Sequence, residues 1–277
     1  MSNAPEWAAK GGDVWSERWP EIDLALSDLA RQLNPTIVAA APQRPFRALD
    51  VGCGAGATSY AIAEARPDAS IVACDLSPSL VRVARERLAG KAINVVLGDA
   101  EAVAGSEGPF DLIFSRHGVM FFADPVRAFR AFRAAANAGS ALVFSCFHDW
   151  DANPWASELA SAAAGRELDP PGREPSGFAF ADSDYVREIL ESAGWTDVDR
   201  RPVPFNYIAA GGEGAVKQAM SFLGDIGPAS RVVAELPEQE REGASQRMHA
   251  VIEQHFDGEA VSFPAAAWIW SAKAGAA

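Results

Sequence analysis

Short continuous apolar runs alternate with amphipathic segments along most of the chain, and that alternation sets the fold class. Residues 46–51, 70–74, 93–97, 110–114 and 141–147 are strand-length apolar runs bounded by turn residues. Between them lie stretches with helical spacing: 57–65, stopped before Pro67, then 78 to about 88, and a helix starting near Pro125. The last carries Val126, Phe129 and Phe132 on one face and Arg127, Arg130 and Arg133 on another, the pattern of a solvated helix face. Gly139 is its expected stop. Continuous apolar strands alternating with helices predict an α/β, doubly wound parallel sheet covered on both faces.

The pattern changes at both ends. Residues 1–35 read as helical, with Leu24, Leu26, Leu29 and Leu33 as an apolar stripe after Pro20, and with Trp7, Trp15 and Trp19 close together. A proline-rich stretch at 42–45 closes this N-terminal helical cap (1–45) ahead of a core at 46–147. Residues 148–182, rich in proline and glycine with one short helix near 156–164, read as an insertion over the carboxyl ends of the strands. Residues 183–277 resume the core: a helix at 183–193, strand-like 195–200 and 203–208, and a last strand at 266–272. Within them a helical insertion at about 209–260 breaks at Pro228 and Pro237. The expectation is a single domain over 1–277.

Charge and cysteine usage narrow the function. With 24 Lys and Arg against 37 Asp and Glu, the net charge of −13 argues against a surface that grips nucleic acid or anionic lipid. No apolar run approaches the ~18 residues of a membrane span, and the N-terminus lacks a basic-then-apolar signal pattern. Cys53, Cys74 and Cys146 fall in or beside apolar runs and read as free, buried thiols in a reducing, cytoplasmic setting. No metal-type Cys/His spacing is present.

The sharpest motif ends the first apolar run: Leu49-Asp50-Val51-Gly52-Cys53-Gly54-Ala55-Gly56. Glycines let the backbone turn tightly and approach a ligand, and the next helix aims its N-terminal amides at the same point. Gly52-x-Gly54-x-x-Ala57 also satisfies the dinucleotide fingerprint, which wants an acid about 20 residues on. Asp75 stands 19 residues after Gly56, where a carboxylate can accept from both ribose hydroxyls. Asp50 separates the two cofactor classes, because a carboxylate beside the loop suits an ammonium and repels a pyrophosphate. Gly98-Asp99-Ala100 follows the third run, where Asp99 can accept from an adenine amino group. Phe110-Asp111-Leu112-Ile113-Phe114-Ser115 ends beside the same crevice.

These residues resemble the class I S-adenosylmethionine (SAM)-dependent methyltransferases, within the small-molecule branch similar to the ubiquinone and menaquinone C-methyltransferases. The motifs run from Leu49 to about Phe147, and Ser192-Ala193-Gly194-Trp195-Thr196-Asp197-Val198 matches the family's later helix-to-strand junction. The resemblance implies a Rossmann-like seven-stranded sheet with an antiparallel last strand, an N-terminal helical cap and helical insertions over the strand ends. It implies SAM as cofactor, with Gly52, Gly54 and Gly56, and Cys53 among them, along the methionine and ribose. Asp75 would hold the ribose and Asp99 with Ala100 would meet the adenine. Leu76 would pack on the adenine ring and Ser115 would lie beneath the amino group and sulfonium. Trp15 is the candidate for a lid across the cofactor.

The expected acceptor is a small hydrophobic or aromatic molecule. Amino-methylating nucleic-acid enzymes place Asn/Asp-Pro-Pro-aromatic after the fourth strand, where this chain reads Ser115-Arg116-His117-Gly118. His117 is the first candidate to take the acceptor's proton and His148 the second, with a simple loop hydrogen bond as the other reading of His117. Methyl transfer is an in-line displacement and does not require a base. Met120, Phe121 and Trp155 would line the acceptor pocket, together with Phe178 and Phe180. Two rivals stay open: an NAD-dependent oxidoreductase, for which Tyr60, Tyr185 and Tyr207 are poorly placed, and a SAM-binding protein without transfer activity.

Overall fold

The computed structural model describes residues 10–275, so Trp7 and the N-terminal stretch read for a signal pattern lie outside the described residues. Seven strands form one sheet: β1 (Phe46–Val51), β2 (Ala69–Asp75), β3 (Ile93–Leu97), β4 (Phe110–Arg116), β5 (Ala136–Phe147), β6 (Trp195–Gly211) and β7 (Ala260–Ala274). Their order is β3-β2-β1-β4-β5-β7-β6, parallel from β3 to β5, with β7 antiparallel to both of its neighbours. The chain winds outward from β1 to β3, then crosses back to β4. The crevice at the carboxyl ends of β1 and β4 is therefore the switch point where ligands bind in such sheets. All of β4 except Arg116 is buried, and all of β1 except Arg47, as a sheet covered on both faces requires.

Twelve described helices surround the sheet. Three form the cap: α1 (Lys10–Glu17), α2 (Trp19–Ala25) and α3 (Ser27–Ala40). The core helices are α4 (Ala57–Ala65), α5 (Pro78–Arg87), α6 (Ala100–Glu107), α7 (Pro125–Ala134) and α9 (Ser183–Ser192). The insertions supply α8 (Ser157–Ala164), α10 (Ala215–Asp225), α11 (Pro228–Glu235) and α12 (Glu238–Gln254). Ser77, Asp99, Asp124 and Asp182 start α5, α6, α7 and α9 by accepting hydrogen bonds from first-turn amides, which helix geometry otherwise leaves unpaired.

Several boundaries differ from the sequence expectation for identifiable reasons. Helix α3 runs through Pro35, and Leu24 is exposed while Leu26, Leu29 and Leu33 are buried. Gly139 does not stop α7, which ends at Ala134. It lies instead in the irregular entry to β5, where pairing skips from Phe110↔Ala136 to Leu112↔Ala141. The two segments 195–200 and 203–208 are one strand, β6. Pro202 and Pro204 are tolerated there because β6 is the sheet edge and one of its sides has no ladder to complete. The α7 arginines are anchored: Arg127 pairs with Glu101, and Arg130 and Arg133 donate to the carbonyls of Ser192 and Gly275. No described helix is long and apolar enough to cross a membrane.

Candidate functional site

The carboxyl ends of β1 and β4 are locked together by the residues that follow them. Ser115 donates its hydroxyl to the Val51 carbonyl at 2.7 Å and accepts from the Gly118 amide at 3.1 Å. A Cβ on Gly118 would lie 2.6 Å from the Val51 oxygen, and one on Gly52 would lie 3.0 Å from the Gly118 Cα, so the two chain exits touch only as glycines. Gly52 and Gly54 also take φ of 65° and 55°. Ser115 is thus a structural pin beneath the crevice and does not line it.

Above this floor lies a cavity of about 920 Å³. Asp50, Gly52, Cys53, Gly54, Asp75 and Leu76 line one end, with Ala100 beside them. Gly56 and Asp99 do not line it. Gly56 starts α4 in the left-handed region at φ 85°, packed against Leu88, and Asp99 caps α6 through Oδ1. The loop amides are largely consumed: Cys53 N donates to Cys74 O, Gly54 N to Asp75 Oδ2 and Gly56 N to Cys53 O. A pyrophosphate needs such amides free, whereas the buried Asp50 and half-buried Asp75 carboxylates here repel it.

Those carboxylates differ. Asp75 Oδ2 accepts from Gly54 N and Oδ1 from Ser77 N, both at 2.9 Å, which fixes its plane at the end of β2. Asp50 accepts the Ser59 hydroxyl on Oδ2 at 2.6 Å, and its buried Oδ1 has no partner among the described residues. Burial pushes the Asp50 carboxyl up to about 7, against the lowering effects of Ser59 and the Arg116 guanidinium. Asp75 is raised by the same cause. An orphaned acceptor on a reluctantly charged carboxylate is a site that gains from a cation. The ammonium and sulfonium of SAM meet that requirement, so the residues present fit this cofactor.

The cap closes over the same end, with Trp15, Trp19, Ile22 and Asp23 among the lining residues. Asp23 joins it to the core: Oδ2 accepts from Arg87 at 2.8 Å and Oδ1 from Arg116 at 2.9 Å, while Arg87 also holds the Ala55 carbonyl and lies over the Trp19 ring. Arg18 of the cap pairs with Asp225 at the end of α10. Asp23→Asn keeps the size but weakens both charged contacts. S-adenosylhomocysteine (SAH) is expected to dissociate several-fold faster, as read by stopped-flow displacement. An unchanged rate would remove Asp23 from any role in retaining the ligand.

The other end of the cavity is aromatic. Met120, Phe121, Phe147, Trp150, Trp155 and Phe178 line it, so the first insertion contributes, and Ile226 and Val232 bring in the second. Phe180 is buried elsewhere, near Phe129 and Tyr185. His117 lines the cavity between the two ends. Its φ of 59° turns the chain out of β4, Nδ1 lies 2.8 Å from Ser145 Oγ, and Nε2 is buried without a partner among the described residues. Burial lowers its pKa to about 3, so the imidazole is neutral. His148 is not brought to the cavity: its ring stacks on Trp268 at 4.1 Å and Nδ1 accepts from the Asp149 amide, because it follows Phe147 onto the opposite side of the strand. Sequence reasoning gave no site role to Asp23, Arg116, Ser145 or Tyr207, since the partner of each lies on a distant element.

Residues 48–139 match the family described as methyltransferase domain. Malonyl-[acyl-carrier protein] O-methyltransferase of Geobacter sulfurreducens is 31% identical over 157 residues, 56% of this chain and 57% of that protein. The chain thus spans little more than half the length of that relative. Ubiquinone biosynthesis O-methyltransferase of Cereibacter sphaeroides is 28% identical over 68% of this chain and 75% of its own length. Among solved structures, phosphoethanolamine N-methyltransferase 2 of Haemonchus contortus in complex with SAM overlays with a TM-score of 0.60 at 15% identity, over 100% of this chain and 60% of that one. Residues 48–139 are therefore a methyltransferase domain, carried on the fold of the class I SAM-dependent methyltransferases.

Proposed function

We propose that the chain transfers a methyl group from SAM to a small, hydrophobic or aromatic acceptor. The observation that carries this reading is one continuous cavity with a glycine-and-carboxylate cradle at one end and an aromatic chamber at the other, with His117 between them. Asp50 would hold the ammonium, Asp75 the ribose and Leu76 the adenine ring. When bound, SAM supplies an electrophilic methyl on a sulfonium whose positive charge is lost on transfer. The chain's contribution is to hold the acceptor in line with that methyl and to keep water out, which together lower the barrier by proximity.

In this reading His117 takes the acceptor's proton, supported by its unpartnered Nε2 in the cavity wall. For Nε2 to accept, the ring proton must sit on Nδ1 and be donated to Ser145 Oγ. Charging a buried imidazole is unfavourable, so His117 holds that proton only as the neighbouring cation is discharged.

Calorimetric titration with SAH, with NAD in parallel, tests the cofactor, and methyl-tritiated SAM with a panel of phenolic and aromatic acceptors tests transfer. Binding of SAH alone and label in one acceptor class are expected. Binding of NAD alone would overturn the reading. His117→Asn, chosen because asparagine tolerates positive φ, should leave SAH affinity within about twofold and slow transfer ~100-fold. Undiminished transfer by this variant would remove His117 as the proton acceptor.

A further inference from the structure

A wall of rings runs from His117 into the chamber. His117 meets Phe147 edge-on at 4.1 Å, Phe147 lies 5.0 Å from Trp155, and Trp155 stacks on Tyr207 at 4.4 Å with 3° between the planes. Trp155 is pinned, because its indole donates to Asn153 Oδ1, which also accepts from the Ala266 amide, and Gly227 packs so near that a Cβ there would lie 3.2 Å from the Trp155 ring. Tyr207 is further held near-parallel to Phe222. Its ring therefore has little freedom to search for a partner.

Yet its hydroxyl makes no hydrogen bond to any described residue, although Tyr207 is buried and lines the cavity. A phenol held this rigidly in the cavity wall is a donor available to a ligand atom. Burial raises its pKa, and it remains protonated at neutral pH. The wall thus carries the His117 Nε2 atom, buried without a partner among the described residues, and the Tyr207 hydroxyl, with the Phe147 and Trp155 rings between them.

We propose that Tyr207 determines acceptor specificity: its hydroxyl donates to a carbonyl oxygen at the far end of a fused aromatic acceptor whose hydroxyl is presented at His117. This rests on the methyl-transfer reading of the same cavity and adds the chemistry of the molecule's distal end. An acceptor of that class is flat, stacks along Phe147 and Trp155, and bears a phenolic oxygen at one end and a carbonyl at the other.

The matched probes are 6-hydroxyanthracene-1,4-dione, a quinone with its carbonyls on the terminal ring opposite the hydroxyl, and 2-hydroxyanthracene, which share a skeleton and differ in the carbonyls. Each is titrated into SAH-saturated protein by fluorescence. Wild type should bind the quinone about three- to tenfold more tightly than the anthracenol, the scale of one neutral hydrogen bond. Tyr207→Phe, which keeps the stack on Trp155, should abolish that preference while leaving affinity for the anthracenol and for SAH unchanged. Tyr207→Leu, which removes the stack, should weaken both probes. Equal loss of both probes in Tyr207→Phe, or no change in either, would overturn the proposal by leaving Tyr207 a packing role. So would SAH binding with neither probe bound, while the methyl-transfer reading stood. Failure to bind SAH would instead defeat that underlying reading.

Discussion

Asp75→Ala should lower SAH affinity by about 1.5–3 kcal/mol, roughly 10- to 150-fold, the scale of hydrogen bonds to a charged group. Two losses add in the same direction. The ribose hydroxyls lose their acceptor, and the glycine loop loses the carboxylate that fixes it, since Asp75 ties the Gly54 amide at the end of β1 to the Ser77 amide that opens α5. Asp75→Asn retains one acceptor oxygen and should fall between the alanine variant and wild type. Calorimetric titration reads the affinity, and a thermal melt in the absence of ligand separates the loss of binding from any loss of fold. Affinity within twofold of wild type in Asp75→Ala would remove this residue from the ribose role.

SAH affinity should rise several-fold, approaching tenfold, between pH 6 and 7.5 and then level off. Asp50 is the cause. Its carboxyl titrates at about 7 in the unliganded protein, and only the charged form attracts the ammonium. The groups that face it act in both directions: Arg116 and Ser59 favour the charge, while Asp75 and burial oppose it. His117, held near 3 by burial, does not titrate in this window. Titration in two buffers of different ionisation enthalpy should show proton release on binding near pH 6.5. In Asp50→Asn that release and the pH dependence should both disappear, and a persistent slope would assign the effect to another group.

The stability of the unliganded protein should move the opposite way. A carboxyl whose pKa is raised on folding binds its proton more tightly in the folded state. Its contribution is whole below about pH 4, the ordinary carboxylate range, and is lost as pH rises through about 7. Binding and folding therefore place opposite demands on one buried group. This is the expected behaviour of a site residue kept for its ligand at the expense of the empty fold.

The sheet core and the glycine-and-carboxylate end of the cavity are legible in the sequence, because both are local in the chain. A buried parallel strand is a short apolar run, and a cradle built from one strand–loop–helix–strand unit keeps Asp50, Gly52, Gly54 and Asp75 within a span of 26 residues. The expected antiparallel last strand is also observed, β7 running against both β5 and β6. Where local signals competed, the reading went astray. Pro202 and Pro204 look like strand breakers until β6 is known to be an edge, and Gly139 looks like a helix stop until Phe110 is seen paired with Ala136.

Which side chains share the cavity depends on contacts between distant elements. The tertiary structure brought Asp23 of the cap to Arg87 and Arg116, set Ser145 of β5 against His117, and placed Tyr207 of the edge strand on Trp155 of an insertion. It also turned His148 away, although the sequence placed it beside a strand end as it did His117. Such pairings depend on contacts between residues far apart in the chain, and hydrophobic periodicity carries no information about which distant partner a side chain will meet.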